Sequence, residues 1–275
     1  MTLIQRHDGT IYDLLDYGIR TRDLIISAPT PIHHFEQVEG RNGVIDYGTT
    51  YGPREITAYY RATSYDIMDF SLLRDEIFNL FRTEESFYLI EKRERGKRWL
   101  VKVANPYSIP QRNVFGNFEI EFVGITGFSE SIGTTQDIQQ NGLQFGDDWA
   151  FGMGLLFDDD SHKYTHAGTS FRIYNAGNVP IHPFEQDLTI KIGPAFNSSE
   201  FFELENITNG TMFRVNEGLS GKEVFLDGPN ITIDGLNALG RTNRNFITLE
   251  PGWNDFVMRG TTSTRVEFDF RFYYL

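Results

Sequence analysis

The chain has 275 residues, a formal net charge of −13 and no cysteine, with 40% hydrophobic and 23% charged residues and 24 Phe and 13 Tyr beside 26 Gly. The length suits one large or two modest domains, and the mixture of rings and glycines favours pleated strands and tight turns. Lack of cysteine excludes disulfide scaffolds, zinc–thiolate sites and thiol nucleophiles, and the acidic balance argues against a protein that grips phosphates regardless of sequence.

No apolar run approaches the roughly 20 residues of a membrane span, and MTLIQRHDGT lacks a signal-peptide pattern. The expectation is a chain made and kept in a cytosol-like compartment, or exported by another route, without membrane insertion. An acidic surface would suit a passage through which nucleic acid slides without sticking.

Residues 1–60 read as short strands and turns. A proline-marked break falls at APTPIHHFE, and Gly40, Gly43, Gly48 and Gly52-Pro53 punctuate the pieces that follow. In the last of these, Ile56, Ala58 and Tyr60 alternate with Glu55, Thr57 and Tyr59. The spacing then predicts a helix over about 66–82. Asp66 is its expected N-cap, and Ile67, Phe70, Leu73, Ile77, Leu80 and Phe81 form one apolar stripe for covering a sheet. Next, FYLIE and the run after Arg95-Gly96 read as a β-hairpin, and GNFEIEFVGI as a strand with Phe118, Ile120 and Phe122 on one face.

Apolar patterning dissolves at SESIGTTQDIQQNG. The expected organisation is therefore a first domain over 1–130, a polar linker over 131–141 and a second domain over 142–275. That second part is nearly all strand candidates, among them TSFRIYNAG, DLTIKIG, EFFELENI, MFRVNEG, KEVFLDG, NITIDG, NFITLEPG, NDFVMRG and RVEFDFRFYYL. Short strands separated by Gly, Asn and Pro indicate a sandwich or barrel. In the last, Val266, Phe268, Phe270, Phe272 and Tyr274 alternate with Glu267, Asp269, Arg271 and Tyr273, predicting one strand buried on one side. The fold class is mainly β, with one helix in the first domain.

Chemical motifs are few. GLSGK at 218–222 matches neither a nucleophile elbow nor a phosphate loop, and GMGLLF lacks the third glycine of a dinucleotide fingerprint. FDDDSHKYTH gathers Asp158, Asp159, Asp160, His162 and His166 without the pattern of a calcium loop, and reads as a solvated acidic loop. His33-His34 lacks a zinc motif and reads as a structural loop. Asp147-Asp148 cannot be argued into a glycosidase pair, because neighbouring side chains on a strand point to opposite faces. The sequons at Asn197, Asn206, Asn209 and Asn230 are better explained by turn and strand chemistry. No catalytic residue, metal site or cofactor is indicated. KRERGKR at 92–98 places five basic residues in an acidic chain; it reads as a solvated hairpin tip, or as a contact in which Arg93, Arg95 and Lys97 meet an acidic neighbour.

VEGRNGVIDYGTTYGPREI, the following helix and hairpin, NAGNVPIHP and FITLEPGWNDFVMRG, taken in order, resemble the distal tail protein of long-tailed, non-contractile phages and prophages of Gram-positive bacteria. The resemblance runs over most of the chain. It implies an N-terminal belt domain closing into a hexameric ring, single or in stacked pairs, and a C-terminal galectin-like β-sandwich outside that ring. It further implies a structural hub at the virion tail tip, assembled in the bacterial host cytoplasm. Such a hub joins the tail tube protein to the tail-tip (tail-associated) protein, can carry receptor-binding proteins, and leaves a central channel for DNA without specific nucleic-acid binding. The alternative is a saccharide-binding adhesion module working through the sandwich, although neither sugar-binding strand signature of true galectins is present.

Overall fold

The computed structural model describes residues 1–275 apart from 147, 194–197, 199, 220 and 263. The chain forms two compact units, Met1–Ser129 and Glu130–Tyr274. Both are mainly antiparallel β, as the sequence predicts.

In chain order the first unit comprises β1 (Thr2–Gln5), β2 (Ile11–Asp13), β3 (Ile19–Ile26), β4 (Pro31–Glu36), β5 (Ile45–Tyr51), β6 (Arg54–Thr63), α1 (Phe70–Leu80), β7 (Phe87–Glu91), β8 (Lys97–Val103), β9 (Gln111–Arg112) and β10 (Phe115–Gly124). Its main sheet runs β2-β1-β7-β8-β10-β6-β3. Towards its β3 edge, β6 and β10 pair antiparallel with Tyr60 opposite Phe118 and Ile56 opposite Phe122. Period-two alternation puts Ile56, Ala58, Tyr60, Phe118, Ile120 and Phe122 on one buried face.

Helix α1 covers that face. Phe70, Leu73, Ile77 and Leu80 are all buried, and Phe81 just beyond the helix packs its ring 5.5 Å from Tyr60 and 5.9 Å from Phe122. Burying each such side chain contributes about 1.5–3 kcal/mol. The helix starts later than the sequence predicts. Asp66 accepts the backbone N–H groups of Met68 and Asp69, each at 2.8 Å, and so closes a separate turn first. Ile67, assigned to the stripe, is exposed as a result.

β11 (Ser129–Ser131) begins at the boundary, and the second unit continues with α2 (Thr135–Asn141), β12 (Thr165–His166), β13 (Ser170–Asn175), β14 (Leu188–Ile192), β15 (Phe202–Asn206), β16 (Thr211–Val215), β17 (Val224–Asp227), β18 (Asn230–Ile233), β19 (Leu236–Asn237), β20 (Gly252–Arg259), β21 (Val266–Phe270) and β22 (Tyr273–Tyr274). One sheet runs β12-β21-β14-β17-β18-β19, the other β13-β20-β15-β16. Phe171 and Phe256 of the smaller sheet meet Phe268 of the larger at 6.0 and 5.1 Å, which makes the pair a sandwich.

Three expectations change here. Residues 131–141 are no free linker: Ser131, Thr135 and Ile138 are buried, and 135–141 form α2. Their polar groups serve the terminal strands. Thr135 Oγ1 and Gln136 Nε2 donate to Phe268 O at 3.2 and 2.7 Å, while Thr135 Oγ1 accepts Phe270 N–H and Ser131 Oγ accepts Phe272 N–H. For the same reason the final run is not one strand. The β21 ladder stops after Phe270, Phe272 bonds to the backbone N–H and the hydroxyl of Ser131 in β11, and Tyr273 is buried although alternation points it outward. Finally, NFITLE is no regular strand; it makes a single bridge, Ile181 to Leu249. An asparagine network holds it, since Asn254 Oδ1 accepts from Glu250 N–H and from Asn206 Nδ2, and Asn206 Nδ2 also donates to Thr248 O. Asn206 and Asn209 are thus spent on internal turns, and Asn230 opens β18; Asn197 and Asp147 lie outside the described residues, as does Ser220 of GLSGK.

Candidate functional site

Among the described residues, strands β4 and β5 pair only with each other. The register shifts between His33 and Phe35, and the base is closed where Gly52 N–H donates to Thr30 O at 2.9 Å. Every residue of β4, and every residue of β5 except half-buried Ile45, is exposed. His33-His34, expected in a loop, sits in β4. His33 Nδ1 lies 2.8 Å from Thr49 Oγ1, and His34 Nε2 lies 3.0 Å from Thr50 Oγ1 across the ladder. The Tyr47 hydroxyl donates to Glu36, which holds its pKa above the ordinary phenol value. At the tip Gly40 and Gly43 have φ of 79° and 83°, a conformation a Cβ disfavours.

This arm carries a large apolar load in water. Ile32, Phe35, Val38, Val44, Tyr47 and Tyr51 are all exposed, Tyr47 at 64%. A two-stranded ribbon with neither face covered is marginal by itself. The sequence shows the glycine punctuation of the arm and not its bareness, because the same apolar residues would suit a buried strand.

The open face of the main sheet, opposite α1, is acidic. Asp23, Tyr59, Glu119 and Glu121 line a shallow groove there beside Arg22, and Tyr107, whose ring packs on Phe78 and Phe81 on the α1 side, reaches its margin. Glu119 raises the pKa of Tyr59 by charge, and burial raises that of Tyr107 to about 12. Such a lining repels polyanions. Among the described residues no group of three His, Asp or Glu side chains is placed to hold a metal ion. In FDDDSHKYTH, Asp158 Oδ1 accepts Ser161 N–H at 2.8 Å and Asp160 pairs with Lys163 at 2.6 Å. His162 Nε2 lies 2.8 Å from Leu156 O, and His166 stacks on Phe171 at 4.7 Å.

Arg93 and Arg95 lie in the turn from β7 into β8, Lys97 is the first residue of β8, and all three have partners within the chain. Arg93 pairs with Glu91 and, at 3.7 Å, with Asp23; Lys97 pairs with Glu94 at 2.7 Å; neighbouring Lys92 pairs with Asp13. Arg95 is also engaged. The Arg93 side chain stays 64% exposed, so its pairs are surface pairs.

Residues 7–123, most of the first unit, match the family model of the phage tail protein RIFT-related domain. Over the whole chain, the backbone superposes on the crystal structure of SPP1 Dit (gp 19.1), described as a paradigm of hub adsorption apparatus in phages infecting Gram-positive bacteria. The TM-score is 0.68 at 12% identity, covering 99% of both chains. The chain has the fold of SPP1 Dit. Chains of the phage P2 baseplate in its activated conformation, with Ca and with Sr, are also similar. Their TM-scores are 0.46 and 0.47 at 12% identity, covering 99% and 98% of this chain and 98% and 97% of theirs. No curated protein sequence matches.

Proposed function

We propose that this protein is a structural hub of a phage tail tip: a ring, hexameric and single or stacked, that joins the tail tube to the tail-tip protein and leaves a channel for DNA. One observation carries the reading. The arm of β4 and β5 exposes both faces and six apolar side chains, and a protomer holding such an arm in water is incomplete. An arm projecting from one place and seated elsewhere on the next copy is a heterologous contact, the kind that closes rings. The acidic groove supports a conduit lining, and the tail-domain match over 7–123 supports the virion location. Assembly in the host cytoplasm and carriage of receptor-binding proteins by the sandwich belong to the same reading, which assigns no catalysis.

Arg93, Arg95 and Lys97 are proposed as a charged edge of the ring contact. Exposed ion pairs contribute about 0.2–1 kcal/mol each, so carboxylates of a neighbour can replace those of the chain itself at little cost. Electron microscopy and light scattering over a concentration series test the ring. Closed six-fold particles are expected, and a monomer at every concentration would refute the proposal.

The saccharide-binding reading has one observation in its favour. On the outer face of the smaller sheet Trp253 lies beside Tyr174, with Arg172 and Asp255 paired at 3.1 Å. The Arg172 guanidinium covers the indole at 4.2 Å, however, and so occupies a ring face a sugar would need. Binding of the full chain to cell-wall glycans, lost in Trp253→Ala, would promote this reading over the hub.

A further inference from the structure

The ring leaves one feature of the second unit unused. Phe145, Phe151 and Phe157 gather in the loop before β12. Phe145 and Phe151 stack at 4.3 Å with 1° between their planes, and Phe157 closes on them at 5.6 and 6.2 Å. Phe151 and Phe157 are nevertheless 78% and 73% exposed. Contiguous exposed rings of this kind mark interaction sites.

The loop that displays them is held firmly. Trp149 is buried with its ring 5.8 Å from Phe272, and a Cβ on Gly133 would meet it at 2.5 Å. Met153 is buried; its carbonyl accepts the Tyr274 hydroxyl at 2.9 Å, and Gly154 O accepts the Tyr174 hydroxyl at 2.9 Å. Gly146 N–H donates to Trp149 O at 2.9 Å. The chain is pinned at 149, 153 and 154, and the phenyl rings beside these pins are left outside.

Exposed carboxylates flank the rings along the chain. Asp148 lies between Phe145 and Phe151, and Asp158, Asp159 and Asp160 follow Phe157. Asp158 and Asp160 are engaged as described above. Asp148 and Asp159 have no hydrogen bond or ion pair among the described residues. An apolar centre within a charged rim is the anatomy of a protein interface.

We propose that this cluster docks a partner protein whose surface offers an apolar side chain framed by Lys or Arg. A second copy seated on the same patch would set carboxylates against carboxylates, in a chain already at −13. A saccharide is also a poor fit. Phe145 and Phe151 spend ring faces on each other, and phenyl groups offer no hydrogen bond to hydroxyls.

The test titrates the full chain with two labelled peptides, an amphipathic Leu/Lys helix and its Leu/Glu counterpart, at low and high salt. Phe151→Ser/Phe157→Ser and Asp148→Asn/Asp159→Asn variants are run in parallel. The Leu/Lys peptide should bind and the Leu/Glu peptide should not. The phenyl variant should bind about tenfold more weakly or worse. The asparagine variant should lose most of the salt dependence. All four side chains are at the surface, so melting curves and ring assembly should stay as in the parent, which separates this result from the fate of the hub reading. Binding that ignores the phenyl changes reflects net charge alone and overturns the proposal. Absence of Leu/Lys binding overturns it too, as does self-association or glycan binding that vanishes with the two phenyl groups. If the phenyl variant unfolds, an unchanged salt dependence in the asparagine variant is the refuting result.

Discussion

In the first unit, residues 31–51 make an antiparallel ribbon, irregular between His33 and Phe35, whose side chains meet solvent on both faces. In the second, residues 131–141 are mostly polar, yet Ser131, Thr135 and Ile138 are buried. The contrast shows that burial follows from unsatisfied neighbours as well as from hydrophobicity. Phe268 O and Phe270 N–H of β21, and Phe272 N–H just beyond it, are completed by the hydroxyls and amide of 131–136. The arm is a two-stranded ladder whose strands pair only along their shared edge, so its side chains and its two outer edges remain to recruit a partner.

The comparison breaks first at the arm. Replacing 31–51 by a short turn should abolish ring assembly while moving the melting transition of the protomer by no more than about 0.5 kcal/mol, since the arm buries almost nothing within the protomer. Size-exclusion chromatography with light scattering reads the first effect and calorimetry the second. A surviving ring would place the seam elsewhere.

The buried polar segment should behave in the opposite way. Ser131→Ala with Thr135→Val strands the N–H groups of Phe270 and Phe272, at about 1–3 kcal/mol for each group left unpaired. Urea unfolding followed by tryptophan fluorescence should show that loss with assembly of the surviving fold unaltered. A stability equal to that of the parent would mean that water takes over both bonds.

A smaller effect sharpens the ring contact. Charge reversal at Arg93, Arg95 and Lys97 should weaken assembly by about tenfold or less, more at low salt than at high, as expected of exposed pairs. Assembly indifferent to the reversal would confine these charges to their own chain.

The smallest effect concerns pH. Burial holds the His166 imidazole below its ordinary pKa of 6.5, so the unfolded chain takes up a proton that the folded chain resists. Stability should therefore fall as pH drops through 6.5 towards the lower folded value, and recover above it. His166→Phe should flatten that slope, changing the melting temperature by on the order of 1–2 °C, as read by scanning calorimetry from pH 5 to 8.

Much of the scaffold is legible in the residues. Alternation at 56–60 and 118–122 and the stripe from Phe70 to Phe81 report which faces are buried, because a period of two or 3.6 leaves one geometric solution. The candidate site is half legible. Gly40 and Gly43 mark the tip of the arm, while Phe35 and Tyr47 look no different from core residues until the empty space around them is known.

The amino-acid order by itself determined the pleat and helix periods, the turn positions and the excess of negative charge, since these depend on contacts between near neighbours or on simple sums. Only the tertiary structure decided that α2 completes the end of β21, that the last strand divides at Arg271, and that the arm and the Phe145 cluster stay uncovered. Those outcomes depend on which backbone groups and side chains lack a partner after the sheets have formed, a condition set by residues more than a hundred positions apart, as for Thr135 and Phe270.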